Sequence, residues 1–475
     1  MTQDTSQPSG PPAPLEPLAA VQAVWRLAGL PAAALARLKL RGREPALPSS
    51  FAVGCAAQAS IAASALAAAE LFRQRTGLAQ GVEVDMRNAA IEFRGEHYLR
   101  LDGAAAPEFR DKLSRTFQCG DGRWLRIHAN FPHHRDGVLR LLGCSHDVAE
   151  VERELARRDA FRFEEEAADV GLVVAAMRSF DEWDAHPQGR SVNRMPLLSI
   201  ERIGDAPPQP LPPADRPLSG VRVLDLTRVI AGPVCGRALA GHGAEVLLVT
   251  GPHLPAIEPL VMETGLGKRS CQIDLRSPDG KQSLHSLLRQ ADVLIQGYRP
   301  GGLQALGFGA GEAARARPGI IYVTLSAYGH EGPWAGRRGF DSLVQTACGL
   351  NHAEAAAAGL ATPCPLPAQA LDRATGYLLA CAVMASLLRR ATEGGSWHIR
   401  ASLAQTGSWL RSLGRVDDGF RTALPAFEDV VDLAQTHASG FGSLTTIRHA
   451  ARLSVTPVRW DLPAMPLGSH SPVWI

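Results

Sequence analysis

Asp372, in this 475-residue chain, is a carboxylate standing directly ahead of a long apolar run. An Asp in that place is a preferred helix N-cap, so a structural role competes with any chemical one. A second acid, Asp341 in GFDSLVQ, reads just as well as a loop or helix cap. Tyr298 and Arg299 follow an apolar strand and open an RPGG turn. Their ring and guanidinium could stack on an adenine and pair with a phosphate, or the turn is a plain surface turn with a solvated Arg. His128, His133, His134 and His146 form a cluster, but adjacent histidines cannot easily point at one ion and no carboxylate spacing completes a set. A surface loop and no metal are expected there. The eight Cys never come closer than sixteen residues, which excludes CxxC and zinc-type spacings, and no GxSxG elbow occurs.

Composition narrows the partners. Lys and Arg total 49 against 47 Asp and Glu, a net charge of +2, too small for a surface that tracks phosphates along a nucleic acid. Scattered single thiols suit a reducing compartment, and the polar, Pro-rich start MTQDTSQPSGPPAPLEP has neither a basic nor an apolar leader region. A cytoplasmic protein with a disordered tail over residues 1–20 is expected. The longest uncharged apolar stretch, Phe51 to Ala69, is mostly Ala and Ser and is expected to be a buried helix rather than a membrane span.

The elements that must carry these residues show in the pattern after the Pro-rich stretch DAPPQPLPPADRP, 205–217. Short apolar runs at 221–226, 246–249, 293–295 and 320–325 alternate with helical segments, which predicts a doubly wound, mostly parallel α/β sheet. Residues 56–89 line up with 372–405 at an offset of 316, each an apolar helix, a Gly turn and a short extended segment. That repeat predicts a smaller α+β domain built from the duplicated segments. The division expected is a tail over 1–20, a segment over 21–205, a linker over 206–217 and a second segment over 218–475.

Six motifs carry a resemblance. LDLTRVIAGP (224–233), GAEVLLV (243–249), KRSCQIDL (268–275), ADVLIQGYRPG (291–301), IIYVTLSAYGHEGP (320–333) and GFDSLVQTACG (339–349) occur in this order. Together they resemble the family III CoA-transferases, the CaiB/BaiF family. Residues 51–205 resemble the downstream half of the same family, through RTGLAQGVEVDM (75–86), FQCGDGRWLRIHANFPHH (117–134) and RSFDEWDAHPQG (178–189). The chain therefore resembles a rearranged tandem.

The resemblance implies transfer of coenzyme A from an acyl-CoA donor to a small carboxylic acid, through a covalent intermediate on an Asp, with no tightly bound cofactor. It places the nucleophile at Asp372, in Asp372-Arg-Ala-Thr-Gly376, and an acidic wall residue at Asp341. An N-terminal helix position would favour the carboxylate anion that such an attack needs. It assigns CoA contacts to Ile230, Ala231, Asp274, Leu275, Arg276, Tyr298, Arg299 and Arg338. At the offset of 316 the earlier copy has Ala56 in place of Asp372, so one active site per chain is expected. Phe340 stands where the related acyl-CoA racemases carry an acid/base His, and Phe cannot move a proton. Racemase activity and a non-catalytic CoA-binding paralogue are the alternatives, the latter because Thr250 and Gly297 replace residues common in the family. A homodimer is the family default, and a monomer is the alternative if the added half supplies a partner's surface internally.

Overall fold

The computed structural model describes residues 13–475, so the expected tail lies outside it up to residue 12. From Pro17 the chain is already helical, through Leu27, with Val21, Val24 and Trp25 on a buried stripe. The expected tail therefore cannot reach residue 20, because PLAAVQAVWRL carries apolar residues at helical spacing behind a Pro at the first turn.

The second half builds a seven-stranded sheet. Strands Arg222–Leu226, Glu245–Thr250, Lys268–Gln272, Val293–Gln296, Ile321–Ser326 and Ser396–Ser402, taken in chain order, lie 3-2-1-4-5-6 and are all parallel. This is the doubly wound arrangement, in which the order reverses between the first and fourth strands. The expected fold class is present. The seventh strand, Ser199–Gly204, comes from the first half and adds antiparallel to Ser396–Ser402.

Two 24-residue helices, Val53–Thr76 and Ala370–Glu393, pack against each other at the centre of the molecule. Both are long and apolar enough to cross a membrane, yet the first is buried from Val53 to Phe72 and the second from Ala370 to Leu387. Small Ala side chains let the two backbones approach, and an all-round apolar helix needs such neighbours.

The repeat is real and its offset is 317, one more than the sequence alignment suggests. The N-cap residues Ala52 and Gln369 share nearly the same backbone, φ −75° and ψ 61° against φ −76° and ψ 63°. Gly77 and Gly394 end the two helices at left-handed φ, and Asp85 and Ser402 cap the helices that follow. Arg73 therefore matches Arg390, and the counterpart of Asp372 is Cys55 rather than Ala56. Pattern matching missed the shift because both helices are Ala-rich and nearly uniform in polarity.

Each half also completes the other's sheet. Strand Val82–Asp85 has Leu38–Arg41 parallel on one side and Ala451–Leu453, from the end of the chain, antiparallel on the other. Ser396–Ser402 has the same surroundings, a parallel neighbour and an antiparallel strand from the opposite half. The duplicated segments thus form the core, not a separate small domain as expected. The smaller α+β unit is instead the sheet Thr116–Gln118, Trp124–Ile127 and Val174–Ala176, with helices Pro132–Leu142, Val148–Leu155 and Ala160–Asp169 around its own core. The Pro-rich linker is fastened by Arg75, which donates to the carbonyls of Pro212 (2.7 Å) and Pro217 (2.8 Å).

Candidate active site

Ligands of open parallel sheets are met beyond the carboxyl ends of the strands, where the strand order reverses. Here that place lies between Thr227–Val229, after the first strand, and Gly297–Arg299, after the fourth. A cavity of about 840 Å³ opens there. Ala231, the first residue of helix Ala231–Gly241, lines it beside Val229. Val229 sits at φ +74°, a left-handed conformation that a β-branched residue adopts only when its surroundings force it. Such strain concentrates at functional turns.

Asp372 is on the wall of this cavity, at the third position of helix Ala370–Glu393. It is not the N-cap, which is Gln369 without a side-chain cap bond. The capping is done by Asp341. Its Oδ2 accepts the backbone N–H of Asp372 at 2.8 Å, and its Oδ1 accepts from Gln345. Both acids are buried, 8% and 1% exposed, so their charged forms are penalised. Burial lifts Asp341 to about 7, against the pull of the Asp372 and Leu371 amides and Gln345. Burial also holds Asp372 well above the usual carboxylate range, and the charge of Asp341 pushes the same way.

Gly376 explains the spacing of the Asp372 motif. A Cβ there would stand 2.6 Å from the carbonyl oxygen of Ala231 and 2.7 Å from Val234. Only Gly lets the helix bearing Asp372 lie this close to the helix that begins at the cavity. Arg373, the next residue, turns away and is held by Glu96 (2.5 Å) and Glu263 (3.1 Å).

The residues assigned to CoA by resemblance are brought together in large part. Leu275, Arg276, Tyr298, Arg299 and Arg338 line the cavity with Ala231 and Asp372. Arg338 is held down by partial burial and by the neighbouring charge of Arg299. Arg338 donates to the carbonyl of Gly171 at 2.9 Å, and no acid pairs with it among the described residues. Two cations set together in this way suit an anionic ligand group. Ile230 lies instead on an adjoining smaller space, and the carboxylate of Asp274 turns from the cavity to grip Arg276 at 2.8 Å.

The cavity also has a wall that the sequence did not assign. Phe131, His133 and His134, from the first half, line the cavity together with Asp372. His128 stacks on Phe340 with ring centroids 3.9 Å apart, and Arg228 lies over Phe131 at 4.9 Å. Two of the four histidines are therefore not on a surface loop: His128 and His134 are 7% and 5% exposed, while His133, on helix Pro132–Leu142, is exposed and His146 lies on an exposed loop as expected. Burial drives the His128 imidazole down to about 3, so the ring is neutral. Their clue was the apolar alternation in WLRIHANF, which marks a half-buried strand running into the site. The counterpart of Asp372, Cys55, is buried with its thiol pushed up to about 12, and its backbone N–H donates to the Glu44 carboxylate at 2.7 Å.

A doubly wound sheet with a buried acid at its switch point defines an α/β enzyme scaffold, and sequence comparison specifies it. The profile of CoA-transferase family III matches residues 23–208 and 218–418, so the chain belongs to that family. Acetyl-coenzyme A transferase nodX of Hypoxylon pulicicidum is 31% identical over 338 residues, 65% of this chain and 56% of its own length. Human succinyl-CoA:glutarate CoA-transferase is 32% identical over 200 residues, 40% of this chain and 45% of its own. A crystal structure of Rv3272 from Mycobacterium tuberculosis, 32% identical, covers 42% of this chain and 58% of that one with a TM-score of 0.38. The chain thus spans about half the length of these relatives.

Proposed function

We propose that the protein transfers coenzyme A from an acyl-CoA to a carboxylic acid, with Asp372 as the covalent carrier. The observation that carries this reading is Asp372 itself: a buried acid on the cavity wall, near a helix N-terminus, with a second acid fixing the backbone beneath it. The Asp372 carboxylate attacks the thioester carbonyl carbon, the C–S bond breaks, and CoA leaves as a thiolate with an acyl-aspartyl anhydride behind it. The thiolate then attacks the Asp372 carbonyl of the anhydride, releasing the donor acid and leaving an aspartyl thioester. The acceptor carboxylate displaces CoA from that thioester, and the returning thiolate takes the acceptor acyl group from the second anhydride. Asp372 is regenerated and no water is consumed.

Burial serves this sequence in two ways. It makes the carboxylate anion a stronger nucleophile by stripping its water, and it keeps water from the two anhydrides. The neutral wall of Phe131, Phe340 and His128 extends that exclusion. Arg299 and Arg338 are the side chains we assign to the CoA phosphates, Tyr298 to the adenine. Because both halves of the cavity come from one chain, a monomer is sufficient for activity, and the cytoplasm is its proposed location.

A panel of acyl-CoA donors and free acids, read by mass spectrometry, tests the reaction. Exchanged CoA esters are expected from the native protein. The Asp372→Ala variant should stay folded and lose at least about 10³-fold in rate, as expected for removal of a sole nucleophile. Hydroxylamine added during turnover should leave a hydroxamate on Asp372. A hydroxamate on Asp341, an epimerised thioester instead of exchange, or an active Asp372→Ala variant would each overturn the reading.

A further inference from the structure

Arg373 follows Asp372 in its helix, yet its guanidinium is fully buried and lines neither the cavity nor the smaller space beside it. It stands inside a chain of charges closed off from water. Arg237 and Arg373 both donate to Glu263 Oε1, at 2.8 and 3.1 Å, and Arg373 donates onward to Glu96 at 2.5 Å. None of the four side chains is more than 2% exposed. They come from four elements: Arg237 from helix Ala231–Gly241, Glu263 from helix Glu258–Thr264, Arg373 from the helix of Asp372, and Glu96 from the turn Gly95–His97 of the first half. A Cβ at Gly95 would stand 2.8 Å from the Glu263 oxygen that both arginines share, so this turn comes so close only without a side chain.

A buried ion pair seldom repays its desolvation against an apolar replacement of similar volume. Two in series, crossing from one half to the other, point to a use beyond holding the fold. Burial opposes the charge of Arg373, but Glu263 and Glu96 raise it above its ordinary value. Burial opposes the charge of Glu96 too, and Arg373 with His97 holds it below the usual carboxylate range. Both charges reach Asp372: Arg373 favours its anion, and Glu96 opposes it as Asp341 does. Arg110, Arg126 and His128 line the smaller space that Asp372 also lines, His128 as a neutral ring, and Arg338 lies on the large cavity.

We propose that Arg373 is a positioning residue for Asp372: its two carboxylate partners tie the first turn of that helix to helix Glu258–Thr264 and to the first half, and the Arg373–Glu96 pair balances the charge that the acid meets. The proposal rests on Asp372 being the transfer centre. The first half thereby contributes to the transfer through a group that touches no substrate.

The test sets two opposite charge changes against each other. Arg373→Met removes a cation and should move the rising limb of kcat/KM for CoA exchange to higher pH. Glu96→Gln removes an anion, keeps an acceptor oxygen for Arg373 and should move the limb to lower pH, each shift being about one pH unit. The double variant should bring the limb back near its native place. Arg373→Lys keeps the charge without the planar fork, so kcat should fall about 10-fold or more while the limb stays and KM for acyl-CoA changes by less than about 3-fold. Damage to the fold alone lowers the rate without displacing the limb in opposite directions. Limbs that stay in place, or that move the same way in both single variants, overturn the proposal. Where Arg373→Met does not fold, Glu96→Gln decides by itself. Infrared titration of the carboxyl band that Asp372→Asn removes follows the same acid without turnover. Opposite shifts of that band in a protein that exchanges no CoA keep the charge balance at Asp372 and remove the transfer reading. Exchange with unmoved limbs keeps the transfer and removes the role of Arg373.

Discussion

At the scale of single residues, the two acids divide one task. Asp372 faces the cavity, while Asp341 accepts the Asp372 amide and fixes where the helix begins. Their closeness has a consequence for pH. A carboxyl group whose pKa is raised is an anion only above that raised value, so CoA exchange through Asp372 should rise with pH on a limb displaced well above the ordinary carboxylate range. Asp341→Asn keeps a carbonyl oxygen for the Asp372 amide and removes the neighbouring charge that helps lift Asp372. The limb in the kcat/KM profile should then move to lower pH. A limb that stays in place would show that Asp341 does not influence the titration of the group that limits the rate.

At the scale of elements, the site depends on how closely helices Ala370–Glu393 and Ala231–Gly241 meet. Gly376→Ala sets two effects against each other. In a helix interior, Ala is favoured over Gly by about 1 kcal/mol. The new Cβ would stand 2.6 Å from a backbone carbonyl, which cannot swing aside as a side-chain tip can. Overpacking costs about 1–3 kcal/mol and should prevail. Urea melts should show a net loss of stability, and exchange should fall further than stability alone explains, because Asp372 moves with its helix. A variant of native or higher stability with full activity would show that the two helices separate freely.

At the scale of the whole molecule, the halves are joined twice. Ser199–Gly204 closes the second half's sheet, and Ala451–Leu453 closes the first half's. Light scattering should accordingly find a particle with the mass of one chain, 50.6 kDa, that is active at all concentrations. A dimer whose activity disappears on dilution would contradict this. Stability should also depend on acid. His242, 1% exposed with neither ring nitrogen bonded, is pushed by burial from 6.5 to about 3. Its folded pKa lies below its unfolded one, so its contribution is complete above pH 6.5 and fades as pH falls toward 3. The loss is up to about 1.4 kcal/mol for each pH unit in that window. Asp341 and Asp372, raised rather than lowered, act in the opposite direction, so the clean measure is a difference. His242→Leu should flatten the fall in unfolding free energy between pH 6.5 and 5 relative to the native protein. An unchanged slope would show that His242 is not the group taking up protons.

The sequence by itself determined the sheet. Short apolar runs alternating with helical stretches after residue 217 left a parallel, doubly wound arrangement as the way to bury both faces, and its turns fixed where a ligand meets the protein. The family resemblance of its local motifs pointed to Tyr298, Arg299, Arg338 and Asp372, which the fold brings to one cavity. Local pattern could not carry the register of the repeat, where one residue separates Ala56 from Cys55 as the counterpart of Asp372, because an Ala-rich helix looks alike at either offset. It could not show that Asp341, thirty-one residues upstream, caps the helix of Asp372 in place of Asp372 itself. It also placed His128 on a surface loop and left Phe131 unassigned, since both reach the site from the first half, more than two hundred residues before Asp372. Those pairings arise from the crossing of two halves around a pair of buried helices, and burial is what keeps the His128 ring neutral and lifts two carboxylates above their usual range. Both effects depend on which groups tertiary packing sets side by side and how much water it removes, and neither quantity is a property of a residue in its own stretch of chain.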